Sequence, residues 1–266
     1  MRPALRRWGQ AGPEVLALHC SLASSTAWGG VGAALQDCAR LTAPDLIGHG
    51  RAADWDSARP YAEQALEAIA AHIPSELEPE PGPEPEPGPV HLVGHSFGGV
   101  LALALALGRP EAVRSLTLIE PVLFCAASGP GREAADAVLD GMEGHLRRGN
   151  LEAAAEIFLG LWGGGQPFDQ LPEAQQNYSA ARMPLIAAQQ SVLFEDSQNL
   201  LSRLGTCTMP VLLLEGAESP PVIGEILDRL QTDLLRVRRE VIEGAGHMAP
   251  ISHPEAVARA IASQLA

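Results

Sequence analysis

Val90-His91-Leu92-Val93-Gly94-His95-Ser96-Phe97-Gly98 joins a short apolar run to a G-x-S-x-G turn, and the residues that follow, through Leu107, form a long alanine- and leucine-rich stretch. The apolar run reads as a buried strand and the stretch after the serine as a helix, which places Ser96 at a strand-to-helix elbow. A nucleophile on so sharp a turn sits at strained dihedrals, and small residues two positions either side, here Gly94 and Gly98, let strand and helix close in. The helix stops at Gly108-Arg109-Pro110, where glycine suits the position past the helix end and proline cannot continue it. An ordinary strand-turn-helix connection with a capping serine is the plainer alternative. The flanking strand and helix favour a nucleophilic serine.

Outward from this elbow, short apolar runs alternate with helical segments: Val15 to Leu18, Leu41 to Ala43, Val90 to Val93, Leu116 to Ile119, Val211 to Leu214 and Glu240 to Ile242. Such alternation predicts an α/β domain with a mostly parallel sheet flanked by helices. Ligands of these sheets bind beyond the carboxyl ends of the strands, where Ser96 falls. Residues 1–121 and 209–266 are assigned to this sheet domain. Residues 122–208 depart from the alternation and read as an inserted helical cap. Ala135, Val138, Leu139, Met142 and Leu146 recur at helical spacing there, and Asn150 is placed to cap a following helix with Ala154, Ile157, Phe158 and Leu161. Met183 to Ile186 and Val192 to Phe194 continue the cap, packing within it or lining a pocket. Gly163-Gly164-Gly165 lacks the Lys-Ser/Thr of a phosphate loop and reads as a link or hinge. Residues 78–89, with their Pro-Glu-Pro-Gly repeats, offer no apolar face and read as an extended surface loop without chemistry.

Composition narrows the class. At 266 residues the chain suits one sizeable domain with an inserted lobe. The net charge of −14, with 18 lysines and arginines, leaves no basic stripe for nucleic acid. Cys20, Cys38, Cys125 and Cys207 form no C-x-x-C pair, so neither a zinc knuckle nor a disulfide framework is suggested, and a reducing, cytoplasmic setting fits. No apolar stretch follows Arg2, Arg6 and Arg7 as a signal peptide requires, and Val100 to Leu107 is too short to cross a bilayer, so no membrane partner is expected. No H-E-x-x-H occurs, and neither metal nor cofactor is implied.

A serine hydroxyl is a weak nucleophile at neutral pH and needs a base, usually histidine, oriented by a carboxylate. Of eight histidines, His247 in Gly244-Ala245-Gly246-His247-Met248 follows the last strand-like run, where a loop can return to Ser96.

These residues, with Leu18-His19-Cys20-Ser21 and Pro44-Asp45-Leu46-Ile47-Gly48-His49-Gly50, together resemble the α/β-hydrolase superfamily over nearly the whole chain outside the cap and the proline-rich loop. The resemblance implies an oxyanion hole built from the backbone N–H of Phe97 and a second N–H from the loop after the Val15 to Leu18 run, assigned to Ser21. Members usually carry His-Gly where this chain has His19-Cys20. Two such fixed donors would supply several kcal/mol of transition-state stabilisation. His19 and His49 are expected to brace these loops, and His95 to pack or hydrogen-bond within the elbow. Most members place an aspartate three residues after the glycine that ends the penultimate strand. Here that position holds Ser219, which cannot stabilise an imidazolium as a carboxylate does. Other members carry the acid after the strand that follows the nucleophile helix, and Glu120 stands there, before Pro121, which favours an extended strand tip. Glu120 is the expected acid, with Glu218 the alternative and Glu215 behind them. The reading is a serine hydrolase cleaving a carboxylic ester of a small to medium, fairly hydrophobic molecule. A carbon–carbon bond hydrolase of a diketone-like substrate and a non-catalytic ligand-binding homologue are the rivals. Dehalogenase and epoxide hydrolase readings are disfavoured, because members with those activities use aspartate where Ser96 stands.

Overall fold

The computed structural model describes residues 5–73 and 88–265. The proline- and glutamate-rich stretch, apart from residues 88 and 89, lies outside them. Seven strands form one sheet: β1 (Leu5–Trp8), β2 (Glu14–Leu18), β3 (Arg40–Pro44), β4 (Val90–His95), β5 (Val113–Ile119), β6 (Val211–Gly216) and β7 (Val237–Ile242). Their order across the sheet is β1-β3-β2-β4-β5-β6-β7, with β1 antiparallel to β3 and every other pairing parallel. The sequence reading lacked β1. Its two middle residues are exposed arginines and it covers only a sheet edge, so it carries no apolar run.

Alternate residues of each strand point to opposite faces, and the two faces gather separate cores. One face presents Leu16, Leu92, Leu116 and Leu213 to the helix after the serine, α3 (Phe97–Gly108). The other presents Val15, Val93, Ile119 and Leu212 to α1 (Gly29–Leu35) and the C-terminal α10 (Pro254–Ala262). Helix α3 is apolar on every side because every side is covered, from Phe97 to Leu107. Each of its four buried leucines contributes roughly 2 kcal/mol by leaving water, which anchors the elbow at the centre of the sheet.

Between β5 and β6 the chain leaves the sheet and forms α4 (Pro130–Arg147), α5 (Leu151–Trp162), α6 (Glu173–Ala187) and α7 (Gln190–Phe194). Met142, Ala154, Ala155, Ala180, Met183 and Ile186 give these helices a small core of their own. Asn150 does precede α5, but its side chain caps nothing: its backbone N–H turns back to the His145 carbonyl at 3.0 Å, and a tight turn at Gly149 (φ 76°) links the two helices. Pro184 lies inside α6 and lacks the N–H that would bond one turn back, and the helix ends soon after it.

Candidate active site

The β4–α3 turn forces Ser96 to φ 55° and ψ −120°, a conformation rare for a residue with a side chain. The Ser96 N–H is held by the Ile119 carbonyl at 2.9 Å. Two glycines permit this geometry. A Cβ on Gly94 would lie 2.3 Å from the Gly98 carbonyl oxygen, and one on Gly98 would lie 2.5 Å from the carbonyl oxygens of Leu18 and His19.

The loop after β7 brings His247 back to the elbow. Its Nε2 accepts from the Ser96 hydroxyl at 3.0 Å, and its Nδ1–H donates to Glu120 Oε2 at 2.8 Å. The His95 Nε2–H donates to the His247 carbonyl at 2.7 Å, and the Trp162 ring lies against the His247 imidazole with centroids 4.7 Å apart. Burial holds His95 well below the ordinary histidine range, with the neighbouring His247 adding to the effect, so His95 acts as a neutral donor.

Glu120 is fully buried at the tip of β5, at φ 48° and not in the extended conformation that Pro121 suggested, with its N–H on the Leu214 carbonyl at 3.0 Å. Its Oε1 accepts from the Gly216 N–H at 2.5 Å and from the Ser219 hydroxyl, so both carboxylate oxygens are occupied by donors. Buried polar groups are hydrogen-bonded, and with His247 this carboxylate collects three donors. Glu218 is exposed and makes no side-chain bond to His247, while Glu215 pairs with Arg239. The structure therefore gathers Ser96, His247 and Glu120 and leaves the other two carboxylates outside. Ser219, at the position where the resemblance leads one to expect an acid, donates its hydroxyl to Glu120.

Among the described residues, the Phe97 and Ser21 amides donate to no protein acceptor. The loop bearing Ser21 is braced by two histidines. His19 donates from Nδ1 to the Cys20 carbonyl and accepts the Leu46 N–H, while His49 donates to the Ile47 carbonyl and accepts the Leu22 N–H. Burial lowers His19 to about 4 and His49 to about 3, so both are neutral. Cys20 fits the buried position where glycine is usual, and burial pushes its thiol up to about 12, which makes it inert as a nucleophile. The Ser21 hydroxyl donates to Gln189 Oε1 at 2.9 Å, linking the loop to the junction of α6 and α7. Sequence reasoning missed Gln189, because its partner lies 168 residues away.

Two cavities meet at Ser96. An outer cleft of about 640 Å³ runs past Ser96, His247, Trp162, Tyr178 and Met248. An inner chamber of about 40 Å³ is lined by Val122, Phe124, Met142, Phe158, Ile186 and Phe194, with Ser21, Ser96 and Gln189 at its wall. Among the described residues no three His, Cys, Asp or Glu side chains gather closely enough to hold a metal ion. No described helix is long and apolar enough to cross a membrane.

A mostly parallel seven-stranded sheet, with a serine at the turn after its fourth strand and helices inserted between two later strands, defines the class of α/β-hydrolases. The model of the alpha/beta hydrolase family matches residues 15–260, and the chain belongs to that family. It is 30% identical to lipase LipV of Mycobacterium tuberculosis over 98% of this chain and 97% of that one. It is 31% identical to a pimeloyl-[acyl-carrier protein] methyl ester esterase of Methylococcus capsulatus over 94% of this chain and 93% of the relative. Among solved structures, the haloalkane dehalogenase DbeA from Bradyrhizobium elkani matches with a TM-score of 0.73 at 23% identity, covering 98% of this chain and 92% of that one, a likeness of fold.

Proposed function

We propose that this protein is a serine esterase in which Ser96 is the nucleophile, His247 the base and Glu120 the acid. The observation that carries the reading is the continuous chain of hydrogen bonds from the Ser96 hydroxyl through His247 to the buried Glu120 carboxylate. His247 takes the Ser96 proton as Oγ attacks the ester carbonyl, and Glu120 stabilises the imidazolium that forms. The Phe97 and Ser21 amides receive the oxyanion. His247 then gives its proton to the departing alcohol, and water, activated by the same nitrogen, releases the acid from Ser96.

Residues 122–208 act as a cap over this site. Phe158, Trp162 and Tyr178 on the cleft wall support that role, and the mainly apolar lining supports a small to medium, fairly hydrophobic ester. The esterase and lipase names of the relatives agree with the reading. Four free cysteines favour a cytoplasmic setting.

Intact-mass detection of a fluorophosphonate adduct tests the nucleophile without choosing a substrate. One adduct on the wild type and none on Ser96→Ala is expected. A folded wild type that takes no adduct and hydrolyses no ester would sink the proposal in favour of a ligand-binding homologue.

A further inference from the structure

We infer that the side-chain amide of Gln189 reads an oxygen acceptor in the acyl part of the substrate, selecting a short acyl chain with an ether, hydroxyl or keto oxygen. The inference rests on the serine-esterase reading and adds the substrate class to it.

Gln189 is 2% exposed, and its Oε1 is already taken by the Ser21 hydroxyl. Its Nε2, with two N–H donors, is buried without a hydrogen-bond partner in the protein. A buried donor left unpaired is costly and rare in native structures. The residue stands on the wall of the inner chamber, where the lining is mainly apolar and the other polar side chains, Ser21, Ser96 and Gln190, make no bond to this nitrogen. A donor in that position is satisfied by a ligand that brings an acceptor into a mainly apolar space, which is how a pocket fixes orientation with few polar groups.

The two cavities assign the two halves of an ester. His247 must protonate the departing alcohol, and His247 lines the outer cleft but not the chamber. The alcohol therefore belongs to the cleft, which is wide enough to release it, and the acyl chain to the chamber. The chamber, at about 40 Å³, is far smaller than the cleft, so it suits a short acyl chain rather than the larger group.

The 4-nitrophenyl esters of methoxyacetic and butyric acid test this, since each places three non-hydrogen atoms beyond the carbonyl and only the first carries an acceptor. With each kcat/KM divided by the ester's rate constant for hydroxide hydrolysis, the wild type should favour methoxyacetate by about tenfold, the discrimination expected of one well-placed neutral hydrogen bond. In Gln189→Leu that ratio should fall to about one. Gln189→Met gives the same readout if the leucine variant does not fold. A wild type without the preference overturns the inference. So does a variant that loses both esters equally, which would make Gln189 only a brace for Ser21. A preference that follows the length of the alcohol rather than the acyl chain overturns it as well. If the wild type takes the fluorophosphonate and hydrolyses butyrate without preference, the inference fails and the esterase reading stands. If it takes no adduct and hydrolyses neither ester, both fail.

Discussion

Replacing Glu120 by glutamine changes one atom's chemistry and keeps the shape. Oε1 of Glu120 receives the Gly216 N–H at 2.5 Å and the Ser219 hydroxyl, while Oε2 receives the His247 Nδ1–H at 2.8 Å. The Gly216 donor is backbone and cannot turn away, so the glutamine carbonyl keeps the Oε1 position and its NH2 faces His247. Two donors cannot face each other at hydrogen-bond distance. His247 must therefore carry its proton on Nε2, where it can no longer accept from Ser96, and the negative charge that would stabilise an imidazolium is gone as well. In another serine hydrolase fold, this change of acid to amide, with the geometry kept, costs about 10⁴ in kcat, close to 5.5 kcal/mol of barrier. A loss of about that size in kcat/KM is expected for Glu120→Gln, read with 4-nitrophenyl butyrate and, independently, as the rate of fluorophosphonate labelling. The circular dichroism spectrum should not change. Glu120→Gln within about tenfold of wild type, beside a Glu218→Gln variant reduced by about a thousandfold, would refute this reasoning and move the acid to the loop after β6.

Three further outcomes follow from the same geometry. His19 and His49 are held neutral in the fold, at about 4 and about 3, whereas an unfolded chain takes up protons on them near the ordinary value of about 6.5. The unfolded state thus binds more protons below that pH, so stability is complete above about pH 6.5 and declines as the solution is acidified, by about 4 kcal/mol for the pair between pH 7 and pH 5. Urea midpoints at the two pH values check this, and equal midpoints would contradict it. Gly94→Ala places a methyl 2.3 Å from the Gly98 carbonyl oxygen, in backbone that cannot yield, and should lower stability by several kcal/mol, measured as a falling urea midpoint. Glu120→Ala should be nearly inactive, and adding Ser219→Asp should restore at least about tenfold of kcat/KM, because the position 219 side chain already touches the vacated carboxylate site. No gain in that double variant would show that the loop after β6 cannot present an acid to His247.

Strands β2 to β6 were legible because each carries buried apolar residues, β7 was marked only by the short Glu240 to Ile242 stretch, of which Ile242 alone is buried, and the elbow was legible because Gly94, Ser96 and Gly98 stand between one apolar run and an apolar helix. Strand β1 was not, because an edge strand needs no apolar core residues and its arginines face outward. Chain order placed Glu120 and His247 at loop ends that could meet Ser96, and the structure brings the three together. The support around them was hidden. Ser219 reads as the loss of an acid until its hydroxyl is seen on Glu120, and Gln189 reads as one polar residue in a helical stretch until Ser21 is beside it. Both are contacts between distant segments, with no periodicity to announce them. Asn150 shows the converse: a residue type that favours helix caps stands at the right place and does something else, because Gly149 turns the backbone first.

If Glu120 is the acid, as proposed above, its position accounts for a triad acid placed on either of two strand tips in one fold. Strand β5 lies between β4 and β6, so its tip is flanked by the serine elbow on one side and the Gly216 to Ser219 turn on the other. From β5 the Glu120 carboxylate reaches His247 Nδ1, and the Ser219 hydroxyl brings the loop after β6 to the same carboxylate. From β6 a triad acid needs only a loop aspartate. From β5 it must come from a residue whose backbone turns upward, and Glu120 does so at φ 48°, a conformation that costs a residue with a side chain about 1–3 kcal/mol. That strain is offset locally: the Glu120 N–H bonds to the Leu214 carbonyl, and its carboxylate collects donors from Gly216, Ser219 and His247. Serine at 219 then becomes the better residue, since a second carboxylate beside a buried one would force one of them to take a proton. Glutamate at 120 and serine at 219 are therefore one coupled choice, and the sheet order makes it available.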